Sequence, residues 1–354
     1  MVAIVCMGQI ELSPFAKKYI DIFKENGIEY DIIHWNRSGN IGRDSDNVYT
    51  LNTQVDRYAS NIKKALPFFE FSRFASRIIK RKKYDKLVVL TTQTALFLSP
   101  LLLLKYRGKF FFDYRDTSYE YIGLYKWFIN KIADAASAVC LSSPGFAQYI
   151  KPKKGVVISH NFQYENYVSR ELVAKKNNDG KIIIGYIGVL REYDYIKKLV
   201  DCFGNDNRFE FHVHGGGDDY LRLKEYSKKY SNITVFGEYK EQQKREILET
   251  FDIICYNYPY SFLNYPAIAN KFYDGMIMKK PMFANLATFS GKLINDNGLG
   301  ISINHDDADI TNKIFEYYNT FDEKEFSNNC ESFLTKVLED EKVYISKIKE
   351  IFID

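Results

Sequence analysis

The chain opens on a solid apolar run, Val2–Met7, that breaks at Gly8. Apolar residues at helical spacing then run from Ser13, an N-cap with Pro14 at the first helical position, to the stop signal Asn26-Gly27. Glu29–His34 resumes as a strand, and the same alternation predicts strands at Lys86–Leu90, Lys109–Asp113, Ala138–Leu141 and Gly155–Ile158. Strands alternating with helices predict a parallel sheet covered on both faces. The stretch Tyr167–Gly180 (YVSRELVAKKNNDG) is polar, ends in Asn-Asn-Asp-Gly and reads as a linker. The pattern then restarts: strand Ile182–Ile187, Gly188, helix; strand Phe209–His214, Gly215-Gly216-Gly217, helix; Ile233–Phe236; Phe251–Tyr256; a helix from Ala269; strand Pro281–Ala284. A last helix is predicted from Asp322 to Ile351.

A chain of 354 residues is too long for one small core. The expected organisation is an α/β domain over 1–165, a linker over 166–180, a second α/β domain over 181–330, and a C-terminal helix over 331–354 packing back on the first domain. No sequence repeat relates the halves, yet both read as one architecture.

Hydrophobic (46%) and charged (27%) fractions are those of a globular protein and exclude disorder. Cys6, Cys140, Cys202, Cys255 and Cys330 have no paired spacing, and three lie in apolar runs, which points to a reducing compartment without disulfides or a zinc site. The first residues enter a strand with no basic leader, and the most apolar run, Ala95–Leu104, is far shorter than the roughly twenty residues a bilayer requires. A cytoplasmic protein is expected. Residues 1–165 carry 24 Lys and Arg against 15 Asp and Glu, whereas the remainder carries 25 against 30, so the halves have opposite sign. No helix-turn-helix, zinc-finger or RNP-like pattern accompanies the basic half, which argues against nucleic acid.

In open α/β sheets, ligands bind beyond the carboxyl ends of strands. There the second half places Gly188-Val189-Leu190-Arg191, with Lys197 six residues on, the Gly215–Gly217 loop, and Asn270 and Lys271 in the first turn of a helix. Such a turn presents unpaired N–H groups and a positive dipole end. Three cations and a helix N-terminus around one cleft would hold a diphosphate without a metal.

The run Pro266–Pro281 (PAIANKFYDGMIMKKP) resembles a segment of the family 4 retaining glycosyltransferases. Ile184–Arg191 (IGYIGVLR) is similar to their Gly-x-x-Arg phosphate loop, Phe209–Gly217 to their strand and glycine loop, and Asp252–Tyr256 to the strand before their donor site. Asp113–Asp116 and Ala133–Ser143 resemble positions lining the family's interdomain cleft. The resemblance implies two Rossmann-like, doubly wound α/β domains facing a cleft, the GT-B architecture. The first would take the acceptor and the second the nucleotide-sugar donor. Arg191 and Lys197 would hold the donor diphosphate, with Gly188, Gly215 and Gly216 close to it, and Lys271 would cap it with the backbone near Ala269 and Asn270. Asp274 falls where a glutamate usually binds the ribose. The partner glutamate eight residues upstream, which contacts the transferred sugar, is Pro266 here. Asp116 is the candidate carboxylate near the acceptor. Transfer from a nucleotide diphosphate sugar to a glycan or lipid-linked acceptor, retaining and metal-independent, in bacterial surface polysaccharide synthesis, is the function this implies.

Other readings stand beside it. A non-hydrolysing sugar-nucleotide 2-epimerase shares the architecture but needs acid–base side chains that five scattered histidines do not obviously supply. A silent subunit supporting a partner enzyme fits the missing glutamate. A nicotinamide dehydrogenase is the least favoured reading, because Gly8 after the first strand is followed by Gln9-Ile10-Glu11 with no G-x-G-x-x-G. His160 reads as a satisfied histidine, and His212 and His214 share a strand face without a third metal ligand. Asp44-Ser-Asp46 and Asp307-Ala-Asp309 read as loop aspartates. Finally, Arg57–Lys86 interleaves ten basic residues with Phe68, Phe69, Phe71 and Phe74, and is expected to rest on an anionic membrane surface.

Overall fold

The computed structural model describes residues 1–10, 13–37, 46–54, 61–153, 155–162, 174, 176 and 180–353, without the side chains of 61–65. Asp44, Arg57 and most of Tyr167–Gly180 lie outside them, and so do the side chains of Lys63 and Lys64. The chain divides into unit 1, Met1–His160 with Glu339–Asp354, and unit 2, Asn161–Leu338.

Unit 1 runs β1 (Val2–Cys6), α1 (Pro14–Glu25), β2 (Tyr30–Asn36), β3 (Val48–Asn52), α2 (Asn61–Lys82), β4 (Lys86–Leu90), α3 (Thr92–Phe97), α4 (Ser99–Leu104), β5 (Phe110–Tyr114), α5 (Gly123–Ala135), β6 (Ala138–Leu141) and β7 (Val156–Ile158). The strands lie in the order β3-β2-β1-β4-β5-β6-β7, and every pairing is parallel. Winding reverses between β1 and β4. All residues of β1 and β5 are buried, which is why those runs are solidly apolar. The helix α1 buries Ala16, Tyr19, Ile22 and Phe23, one face at helical spacing, and ends at Gly27, whose φ of +65° suits the left-handed turn. That face packs with Val88, Phe111, Tyr344 and Phe352, while α2, α3, α4 and α5 pack side by side in a separate layer.

Unit 2 runs β8 (Ile182–Ile187), α6 (Tyr193–Gly204), β9 (Phe209–His214), α7 (Tyr220–Ser227), β10 (Ile233–Gly237), α8 (Lys244–Glu249), β11 (Ile253–Tyr256), α9 (Asn270–Ile277), β12 (Met282–Asn285), α10 (Phe289–Asp296), β13 (Gly300–Ile303), α11 (Ile310–Thr320) and α12 (Glu323–Phe352). The last part of α12, from Glu339, belongs to unit 1. The order β10-β9-β8-β11-β12-β13 is again wholly parallel and reverses between β8 and β11. Two parallel sheets with one winding scheme are the expected doubly wound fold. The expectation lacked β3 and β13, which are edge strands.

Candidate functional site

The crevice of an open sheet forms where winding reverses. In unit 2 that point is the carboxyl end of β8 and β11, and the loops there are built to pack backbone on backbone. Gly188, which follows β8, has φ +136° and accepts its neighbour closely: a Cβ on Gly215 would stand 1.7 Å from the Gly188 oxygen, and one on Gly217 would stand 2.4 Å from that of Leu190. The Leu190 amide donates to the Gly216 carbonyl at 2.7 Å. Gly215 and Gly217 are thus required by loop-on-loop contact, and Gly188 by its positive φ.

Lys271, in the first turn of α9, is 4% exposed, and its Nζ has no hydrogen-bond partner among the described residues. It lies over the rings of Tyr186 (4.0 Å), Tyr258 (4.4 Å) and Tyr256 (5.8 Å). Ring faces attract an ammonium, worth about 2 kcal/mol when desolvated, but supply no acceptor lone pair. The N-cap of α9 is Ala269, whose amide donates to the Tyr256 hydroxyl at 2.8 Å and whose side chain offers no cap. The next amides, at exposed Asn270 and at Lys271, belong to the first turn, where the helix itself supplies no acceptor, and Ala269 gives them no side-chain cap. Arg191 is exposed at the end of the β8 loop. Burial lifts the Tyr186 phenol to about 12 against the pull of Lys271 and, more weakly, of Arg191, so both cations act on one ring.

The other expected residues have protein partners. Lys197 pairs with Asp201 at 2.9 Å and lies 4.5 Å over the Tyr226 ring; hydrogen bonding to the Tyr226 hydroxyl, and then to Asp201, raises its pKa. Asp274 is buried and contacts Lys244 of α8 at 2.8 Å; burial raises its pKa in spite of that cation. Asp307 binds Lys313 and the Asp309 amide, His212 meets Glu210 at 3.2 Å, and His160 meets Asp340 at 2.9 Å.

Several side chains around the crevice escaped the sequence reading. Asn257, the residue after β11, is buried with its Nδ2 unpartnered among the described residues. Its Oδ1 accepts from the Tyr195 hydroxyl, which also receives Asn285 Nδ2 at 3.0 Å. Tyr195 stacks on His305 with centroids 3.5 Å apart, and burial lowers the His305 pKa to about 4. His305 Nδ1 likewise has no partner among the described residues. Asn257 could have been noted for directly following a strand; nothing in the sequence marks the rings.

At the corresponding end of unit 1, buried charges are paired. Asp113 accepts from Tyr19 at 2.6 Å and meets Arg115 Nε at 2.9 Å, and Lys18 reaches Glu341 and the His160 carbonyl, each at 2.8 Å. Asp116 is exposed, its carbonyl held by Thr92 Oγ1 at 3.0 Å. Beside it Thr91, at the end of β4, stands at φ +76°, a strained setting for a β-branched residue and a frequent mark of binding sites.

No protein-family model matches the chain, and no curated protein sequence matches it either. Solved structures do. A glycosyltransferase from Rickettsia africae is 15% identical, covers 99% of this chain and 98% of its own, and superposes with a TM-score of 0.66. The sucrose-phosphate synthase of Thermosynechococcus elongatus is 11% identical over 97% of this chain and 98% of its own, with a TM-score of 0.64. HepE of Anabaena, solved in complex with UDP-glucose, is 14% identical over 98% of both chains, with a TM-score of 0.60. Likeness at this identity establishes the two-sheet GT-B fold over essentially the whole chain.

Proposed function

From this GT-B fold we propose that the protein is a glycosyltransferase that takes its sugar from a nucleotide diphosphate sugar and passes it to a glycan or lipid-linked acceptor. The observation that carries the reading is Lys271. A buried cation without a polar partner is costly in the free protein, by several kcal/mol. Its place at a helix N-terminus and a winding reversal suits an anion that arrives with the substrate. A diphosphate fits the pair Lys271 and Arg191, with the free amides at Asn270 and the glycine loops admitting its oxygens closely. Asn257, with its unpartnered Nδ2, is the proposed contact to a sugar hydroxyl, and Asp274 would reach the ribose only by sharing its carboxylate with Lys244. Lys197 joins only by giving up Asp201.

In the proposed reaction the sugar–oxygen bond breaks and the electron pair leaves with the nucleoside diphosphate. Fixed cations stabilise that developing charge, the strongest help such a site can give. The acceptor hydroxyl attacks on the same face, and its proton passes to a diphosphate oxygen, so configuration is retained and no metal is needed. Asp116 in unit 1 would orient the acceptor. The likeness to HepE, solved with UDP-glucose, supports the donor class. Surface polysaccharide synthesis at the inner face of an anionic membrane is the proposed setting, with the basic segment ending at Lys86 providing attraction. Incubation with a panel of nucleotide sugars tests the reading: transfer or slow hydrolysis that survives EDTA is expected. Product formed without acceptor by inversion at C2 would indicate epimerisation, and no turnover of any donor a silent subunit.

A further inference from the structure

The basic segment was expected to meet the membrane with its phenylalanines, but the fold uses most of them inside. Phe71 is fully buried, Phe68 packs edge-on against Trp35 at 5.3 Å, and Phe74 is half-buried; Phe69 is the exposed one. Exposed rings lie elsewhere in unit 1. Between Tyr119 and Trp127 five large apolar side chains face solvent: Tyr119 (56%), Tyr121 (65%), Ile122 (47%), Leu124 (75%) and Trp127 (56%). We propose that this loop and the first turns of α5 insert into the interfacial layer of an anionic bilayer, deepening the membrane setting proposed above and resting on it.

The segment is inverted relative to an ordinary surface. Its one carboxylate, Glu120, is 3% exposed and works as an internal staple, accepting from the Tyr114 hydroxyl at 2.9 Å and the Ser118 amide at 2.5 Å. Its rings are turned out. Folding does not require them there, because α5 already fills its core contacts with Ile129, Ile132, Ala133 and Ala135. Contiguous exposed apolar groups mark binding surfaces, and Trp and Tyr are the residues that prefer the membrane–water boundary. Charge selects a bilayer as the occupant. In the same helical layer, with α3 packed against both, α2 exposes Arg73, Arg77, Lys80 and Arg81, three or four residues apart and so on one stripe, opposed by Glu70 alone. Lys126 and Lys131 add cations within α5 itself. Rings at the boundary, with Lys126 and Lys131 in the same helix and the α2 stripe in the same layer, match an anionic interface. Among the described residues no helix is long and apolar enough to cross a membrane, so attachment here is interfacial.

The two tryptophans make the test direct, since Trp35 is fully buried and Trp127 is exposed. The full chain is mixed with phosphatidylglycerol or phosphatidylcholine vesicles, with and without brominated acyl chains. The expected result is a blue shift and bromine quenching with phosphatidylglycerol only, lost in Trp127→Phe. Leu124→Ser combined with Trp127→Ser should weaken co-sedimentation by about tenfold or more, and Arg73→Glu with Arg77→Glu should weaken it further and reduce its salt dependence. Absence of binding to any vesicle overturns the membrane setting and the patch together. Binding without shift or quenching leaves the setting and overturns the patch. Self-association in the absence of lipid that the serine variant abolishes would assign the patch to a second copy of the chain and overturn it likewise.

Discussion

The two units answer the same topology with opposite electrostatics at their carboxyl ends. In unit 1, Asp113 is buried between Tyr19 and Arg115, and Lys18 is tied to Glu341. In unit 2, Lys271 is buried as deeply, yet among the described residues its ammonium has no hydrogen-bond partner: it lies over rings, with the Asp274 carboxylate one turn on acting on it through charge alone. A buried charge with protein partners is finished when the chain folds; one without them is finished by something else. The difference teaches where to look for a ligand within a fold whose halves otherwise look alike.

The largest expected effect breaks the finished side. Asp113→Ala leaves the Arg115 guanidinium buried without its counter-ion and should lower stability by about 3–5 kcal/mol, read from denaturant midpoints. On the unfinished side, Arg191→Ala and Lys271→Ala should each lower sugar transfer by about 10²-fold or more, the scale of losing one transition-state donor, with the fold intact. Near-normal turnover in both would remove the diphosphate assignment. Lys197→Ala sharpens the contrast within unit 2. Because Asp201 already holds that ammonium, transfer should fall by less than in Arg191→Ala in a side-by-side assay. An equal loss would mean that Lys197 leaves Asp201 when donor binds.

The smallest effect concerns pH. His214 stacks on Phe236 at 4.2 Å, and burial lowers its pKa from 6.5 to about 4. A depressed pKa means the folded state holds the neutral ring, so this contribution is complete above pH about 6.5 and is lost as pH falls towards about 4. His214→Phe keeps the stack and removes the proton, so the fall in unfolding midpoint between pH 7 and 4.5 should be shallower than in the unaltered protein.

What was legible in the sequence follows from burial. Runs such as Val2–Cys6 and Ile182–Ile187 are covered on both faces, so their apolar character is continuous and their strands could be read. Val48–Asn52 and Gly300–Ile303 are edge strands, mostly half-buried, and their mixed composition hid them. Arg191 could be named because it closes the loop after a strand, and Lys271 because it stands in the first turn of a helix. The cage of Tyr186 and Tyr258 could not, since one ring lies in β8 and the other in the loop after β11, distant in sequence, and they reach one ammonium only through the sheet order. The Lys197–Asp201 pair was open to reading as an i,i+4 contact, and its local geometry now competes with the expected ligand role.

The central claim is that Lys271 is completed by a nucleoside diphosphate, and calorimetric titration of UDP and the other nucleoside diphosphates into the protein and into Lys271→Met tests it most directly. One of them is predicted to bind the unaltered protein and to bind Lys271→Met at least about tenfold more weakly, a difference of about 1.4 kcal/mol, while the ligand-free variant is as stable as its parent or more so. Equal affinity in the two proteins, or a ligand-free variant that unfolds more readily, would contradict it.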